Sequence, residues 1–169
     1  MRERKLTRLK GYDYSQDGYY FITVCTQDRM EWFGKIENGN RVLNAYWEIT
    51  VGCWNDLPNH YGNIRLDEMV VMPNHVHGII VIVGNGFKPF PTRPRESHFH
   101  GLSEIMRGFK TFSSRRINET IHDGAKFRWQ KSFYDHVIRD ERALHDIRAY
   151  IMNNPLKWET DLENPTREC

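Results

Sequence analysis

Residues 68–83 read EMVVMPNHVHGIIVIV, and this stretch decides the fold. Two runs rich in Val, Ile and Met lie either side of Met72-Pro73-Asn74, and His75 and His77 follow at once. Apolar, β-branched runs of this length predict buried strands over residues 64–72 and 75–83, joined as a hairpin or simply adjoining. Side chains alternate along a strand, so His75 and His77 leave one face and Val76 the other. Two imidazoles fixed side by side on a stiff strand are half of a metal site. The same pattern fits two polar residues on a solvent-facing strand side. His-x-His spacing alone does not choose between them.

The chain has 169 residues, enough for one domain with a substantial core. A hydrophobic share of 39% and an aromatic share of 13% suit a globular fold and exclude global disorder. Net charge is only +2, but the charges are segregated. Acidic groups gather at Asp13 to Asp17 and again over residues 159–168. The stretch 107–139 carries Arg107, Lys110, Arg115, Arg116, Lys126, Arg128, Lys131 and Arg139 with few carboxylates to oppose them. Such a local field predicts a polyanionic partner, although a basic helix face can also be merely solvated. Cys25, Cys53 and Cys169 show no C-x-x-C spacing, so reduced core thiols are expected for the first two and a disulfide scaffold is not. No apolar run approaches a membrane span, and MRERKLTRLK lacks the apolar core of a signal peptide. A cytoplasmic protein is the expectation.

Outward from the central stretch, residues 1–10 read as a basic arm and GYDYSQDG (11–18) has turn chemistry. Residues 19–26 predict a strand, and 32–36 a short second one before the turn at Asn38-Gly39-Asn40. Residues 42–57 carry Leu43, Tyr46, Trp47, Val51 and Trp54 at helical spacing, with Pro58 as terminator. Residues 84–101 hold three prolines and three glycines and predict a loop. Leu102, Ile105, Met106, Phe109 and Phe112 mark one helix stripe, with Arg107, Lys110 and Ser114 on another face. Residues 133–138 predict the last strand, Asp140 the N-cap of the last helix and Pro155 its limit, with 156–169 a tail. The order β-α-β-β-α-β-α predicts an α+β fold: a ferredoxin-like antiparallel sheet with helices packed mainly on one face.

The last helix contains AYIMNNP, residues 149–155, beside the apolar stripe Leu144, Ile147 and Ile151. Tyr150 and Asn154, four apart, share the edge of that stripe. A phenol, with a reference pKa of about 10, is a poor nucleophile at neutral pH unless assisted. A divalent cation could assist by polarising a phosphate under attack. The Asn154 side-chain oxygen could join His75 and His77 as a ligand. Such a mixed set suits Mg²⁺ or Mn²⁺, whereas imidazole alone would favour zinc. Packing its ring on the core is the other role open to Tyr150.

Taken together, these motifs resemble the single-tyrosine HUH transposases of the IS200/IS605-like group, and most closely the REP-associated tyrosine transposases. The resemblance runs nearly end to end through GYDYSQDGYYFITVCT, VVMPNHVHGII, IMRGFKTFSSRRIN, RWQKSFYDHVIR and YIMNNP. The family's His-hydrophobic-His pattern falls on His75, Val76 and His77, and its tyrosine and following amide fall on Tyr150 and Asn154. Insertion-sequence members commonly carry Gln at that amide; Asn followed by Pro is similar to the REP-associated branch. The resemblance implies a metal-dependent single-stranded DNA endonuclease and strand transferase with a 5′-phosphotyrosine intermediate. It implies no nucleotide cofactor, a DNA hairpin as partner, and either a monomer or a homodimer with swapped tyrosine helices. The basic stretch would then meet DNA through Arg107, Lys110, Arg115, Arg116, Arg128, Lys131 and Arg139, with Trp129, Phe133 and Tyr134 as stacking candidates. Two competitors are a non-catalytic nucleic-acid-binding module on the same sheet and a zinc hydrolase. The second lacks a third ligand of the usual type and an evident Glu base.

Overall fold

The computed structural model describes residues 11–83 and 100–160, the side chains of 159 and 160 excepted. The basic arm, most of the 84–101 loop, Cys169 and most of the acidic tail lie outside these residues.

Strand β1 (Gly18–Cys25) is followed by a hairpin of β2 (Gly34–Glu37) and β3 (Asn40–Leu43). Helices α1 (Ala45–Asn55) and α2 (Leu57–His60) come next, then β4 (Ile64–Met72), β5 (His75–Ile82) and the long α3 (Leu102–Thr120). β6 (Tyr134–Ile138) and α4 (Glu141–Asn153) complete the set, and a 3₁₀ turn covers Asn154–Thr160. The main sheet has the order β4-β5-β1-β6 with every pair antiparallel, as a ferredoxin-like fold requires.

The predicted hairpin is present, with Met72 opposite His75 across the Pro73-Asn74 turn. All eight residues of β5 are buried because both sheet faces are covered. Tyr20, Ile22, Val24, Val76 and Ile80 turn toward α1 and α3, where Trp54, Met106 and Phe109 meet them. Val70, Met72 and Ile79 turn the other way, toward Leu144 and Ile151 of α4 and Trp158. The histidines share this second face. Two helices therefore cover one face and the tyrosine-bearing helix covers the other.

The expected helix over 42–57 begins later. Asn38 and Gly39 both hold positive φ (52° and 73°), reversing the chain so that Leu43 pairs with Gly34 in β3. Asn44 then caps α1 by accepting from Trp47 N at 3.1 Å. Pro58 does not terminate α1 but occupies the first turn of α2, where a missing N–H is harmless. The 156–169 tail also begins later than expected, since Trp158 is buried within the 3₁₀ turn. Phe112, placed in the apolar stripe of α3, is only half-buried, and Ser113 and Ile117 are fully buried instead. Cys25 and Cys53 are buried and not joined in a disulfide.

At Gly78 a Cβ would stand 2.5 Å from Cζ2 of Trp54, so the indole edge lies directly on the backbone of β5. Gly78→Ala should therefore cost about 1–3 kcal/mol, read as a lowered urea midpoint at unchanged m-value.

Candidate active site

β5 presents His75 and His77 side by side, and the rings meet edge to face at 4.4 Å between centroids. Their Nε2 atoms converge to 3.0 Å. Both rings are buried, 0% and 4% exposed, which excludes a solvent-facing strand side. Nδ1 of His75 meets Oδ1 of Asn74 at 2.8 Å, and Nδ1 of His77 meets Oγ1 of Thr23 on β1 at 2.8 Å. Burial drives the His77 pKa down to about 3. Burial and then the neighbouring His77 hold His75 well below the usual histidine value. Two neutral imidazoles result at neutral pH.

Tyr150 arrives from α4. Asp140 caps that helix by accepting from Ala143 N at 2.8 Å, and Leu144 and Ile151 anchor it on the sheet. The phenol oxygen lies 3.4 Å from Nε2 of His77, and its ring stands edge-on to Phe21 at 6.1 Å. Tyr150 is 40% exposed, so the side chain that meets the buried histidines also reaches the surface. One turn further on, Asn154 is 1% exposed. Its Oδ1 has no hydrogen-bond partner among the described residues. A buried orphan acceptor is costly unless something satisfies it.

Two convergent neutral imidazoles, with an orphaned amide oxygen one turn beyond the tyrosine, are a donor set suited to a divalent cation. Among the described residues no three His, Cys, Asp or Glu side chains gather as a metal cluster. A zinc hydrolase of the usual ligand type therefore gains no support from them.

A bidentate ion pair fixes α4 to the sheet. Between Leu66↔Ile80 and Met69↔Gly78, β4 places Asp67 and Glu68 opposite Ile79 alone, a bulge. There Asp67 receives Arg148 Nε at 2.8 Å and Nη2 at 2.5 Å. The Arg148 hydrogen bonds hold the Asp67 carboxyl below its ordinary value. Its folded pKa is thus depressed, so its stabilising contribution is full above the unfolded value and disappears as pH falls through the folded one. Asp67→Asn should lower the melting temperature at pH 7. It should also flatten the fall in stability of the wild type below about pH 4, as followed by thermal melts against pH.

The basic residues divide. Arg107, Lys110, Lys126, Arg128 and Lys131 line a groove of about 910 Å³ between α3 and residues 126–133. Lys110 closes its wall by donating to the carbonyls of Gln130 (2.5 Å) and Lys131 (2.9 Å), and burial lowers its pKa. Arg115 instead pairs with Glu119 at 3.9 Å, and Arg116 reaches Asp56 at 3.9 Å and Sγ of Cys53 at 3.6 Å. Neither they nor Arg139 are among the groove-lining residues. Of the stacking candidates, Trp129 and Phe133 are core residues, 6% exposed each, and the Trp129 indole donates to Ser113 Oγ at 2.9 Å. Tyr134 is 53% exposed. Sequence reasoning missed Thr23 and Asn74 at the histidines. Adjacency to His75 could have marked Asn74; Thr23 carries no local signal.

No protein-family model matches the chain. An uncharacterized protein of Haemophilus influenzae is 37% identical over 171 residues, covering 95% of this chain and 93% of the relative. A second Haemophilus influenzae protein, named a putative REP-associated tyrosine transposase, is 22% identical over 86% of this chain and 74% of its own length. Among solved structures, a REP-associated tyrosine transposase bound to a REP hairpin superposes with a TM-score of 0.59 and 18% identity. That match covers 90% of this chain and 74% of the other, and it shows a common fold. The chain belongs to one family with the 37% identical Haemophilus influenzae protein, and in sequence pattern and fold it resembles the REP-associated tyrosine transposases.

Proposed function

We propose that this protein is a metal-dependent single-stranded DNA endonuclease and strand transferase working at hairpin-flanked sites, with Tyr150 as nucleophile. The observation that carries the proposal is the phenol oxygen of Tyr150, on a residue 40% exposed, standing 3.4 Å from Nε2 of His77 in the buried histidine pair. A tyrosine that only packed the core would have no reason to meet two neutral imidazoles aimed at one point. The hairpin held by the structural relative supports the same class of partner here.

In the reaction, the Tyr150 oxygen attacks a phosphodiester phosphorus. The new O–P bond forms as the bond to the 3′ oxygen breaks. The phenol loses its proton and the departing 3′ oxygen gains one, leaving a 3′-hydroxyl and a 5′-phosphotyrosine. A second 3′-hydroxyl reverses the exchange and rejoins the strand, so no nucleotide cofactor is consumed. His75, His77 and Asn154 would hold Mg²⁺ or Mn²⁺, which supplies charge stabilisation for the phosphate oxygens when bound. Phe21 and Ile151 fix the ring and helix that carry the nucleophile, which holds the phenol oxygen beside the histidine pair. The groove carrying Arg107, Arg128 and Lys131 would track the DNA backbone.

The test is incubation of the protein and Mn²⁺ with labelled single-stranded DNA that folds into a hairpin, drawn from the sequence flanking its own gene. An SDS-resistant adduct is expected, with the nucleotide mass on the peptide containing Tyr150. Mapping of the mass to Tyr134, or no adduct under any metal, overturns the proposal.

A further inference from the structure

The histidine pair is wired to two residues that resemblance does not assign, and the wiring has a direction. Asn74 is wholly buried. Its Nδ2 donates to the carbonyl of Arg29 at 3.2 Å, which fixes the amide with Oδ1 toward His75. Its own carbonyl accepts from Thr26 N at 2.8 Å, so the residue is held at both ends. Asp28 and Arg29 adopt left-handed backbone (φ 57° and 54°), strained for non-glycine residues. That strain presents the Arg29 carbonyl to Asn74.

An amide oxygen can only accept, so the hydrogen in the Asn74–His75 contact sits on His75 Nδ1. Neutral His75 then has a bare Nε2, and the 3.0 Å contact between the two Nε2 atoms takes its hydrogen from His77. His77 Nδ1 is bare in turn and accepts from the Thr23 hydroxyl at 2.8 Å. One chain of donors therefore runs Thr23, His77, His75, Asn74, Arg29 carbonyl. Asn74 cannot reverse its end of it. Thr23, whose hydroxyl both donates and accepts, can.

We infer that Asn74 and Thr23 are positioning residues for the cation site: Asn74 locks His75 with Nε2 as its free lone pair, and Thr23 lets His77 change tautomer when a cation is taken up. For both Nε2 atoms to face one cation, the His77 ring gives up the hydrogen on Nε2 and carries one on Nδ1, where Thr23 Oγ1 accepts it. One proton leaves the ring and one joins it, so uptake releases no net proton. The inference rests on the histidine pair being the cation site proposed above.

Ring ¹⁵N NMR of protein stripped with EDTA should show His75 as the Nδ1–H tautomer and His77 as the Nε2–H tautomer. Saturation with Mg²⁺, a diamagnetic probe, should move only His77, leaving both rings as Nδ1–H. Calorimetry with Mn²⁺ should give the same enthalpy in buffers of different ionisation heat. Thr23→Val and Asn74→Leu should each weaken Mn²⁺ binding roughly 10- to 100-fold, and Asn74→Asp, which keeps the acceptor oxygen, should restore the His75 tautomer. If Asn74→Leu does not fold, the wild-type spectra and Thr23→Val carry the test. Identical tautomers on the two rings of the stripped protein, or unweakened Mn²⁺ binding by Thr23→Val, overturn the inference. A stripped-state spectrum as expected that no cation alters would retain the donor chain and overturn the cation site instead.

Discussion

Tyr150→Phe should bind hairpin DNA as the wild type does, yet form no covalent adduct with it. The substitution deletes one oxygen whose nearest histidine nitrogen is 3.4 Å away, on a residue that is 40% exposed. Loss of so long a contact at a half-open position should change stability by less than about 1 kcal/mol. The ring remains edge-on to Phe21 and His77, so α4 keeps its seat. Removing the attacking atom leaves the phosphodiester with water alone, and cleavage should fall roughly 10⁴- to 10⁶-fold. A gel-shift titration with a parallel SDS gel separates the two quantities. Unchanged affinity with no adduct is the expected pair of results; an adduct at wild-type yield would move the nucleophile elsewhere, and Tyr134 would be examined first.

Binding should depend on the groove more than on the rest of the basic stretch. Arg107, Arg128 and Lys131 line it, whereas Lys110 is committed to two backbone carbonyls that hold its wall together. Replacing the first three together by Ala removes up to three phosphate contacts. Each is worth about 0.7 in the slope of log K against log salt on single strands, so the slope should fall by about 2. Near 0.1 M salt that corresponds to an affinity loss on the order of 10²-fold, uniform across sequences. Arg115 and Arg116, engaged with Glu119, Asp56 and Cys53, form the control pair, and their joint replacement should have a much smaller effect. Equal losses from the two sets would mean that DNA spans the outer face of α3 instead of lying in the groove.

Much of this fold is legible because its elements carry strong local patterns. β5 is a β-branched run buried throughout, β1 and the end of β4 are apolar and mostly buried, and α3 and α4 repeat their apolar residues at helical spacing. Asp140 announces its helix by being an aspartate placed before it. β3 is different: its four residues are all exposed, so neither alternation nor burial marks it. Val42 and Leu43 then join the helical pattern that follows by accident of composition. The histidine pair and Tyr150 were legible as separate motifs. Their meeting was expected, since Asn154 was read as a ligand beside His75 and His77, but its geometry was not legible, because that depends on how α4 seats on the sheet face that carries β5. The orphaned Asn154 oxygen, the Asp67–Arg148 pair and the Thr23 contact are long-range facts of the same kind. Trp129 and Phe133 show the converse. Their place beside basic residues fits stacking and core packing alike, and the structure buries both in the core while keeping both along the wall of the basic groove.

The place of β1 in the middle of the sheet sets an order of events during synthesis. On one side it pairs with β5, through Cys25 opposite His75 and Thr23 opposite His77. On the other its partner is β6, with Tyr19 opposite Ile138 and Thr23 opposite Tyr134. A ribosome delivers β1, β4 and β5 long before β6, so Tyr19–Thr23 waits as an open strand edge, a surface that invites false pairing until α3 has passed. α4 emerges later still. A nascent chain can therefore assemble both histidines and Thr23 while the tyrosine is still unmade, and the proposed nucleophile joins them only after the sheet has closed.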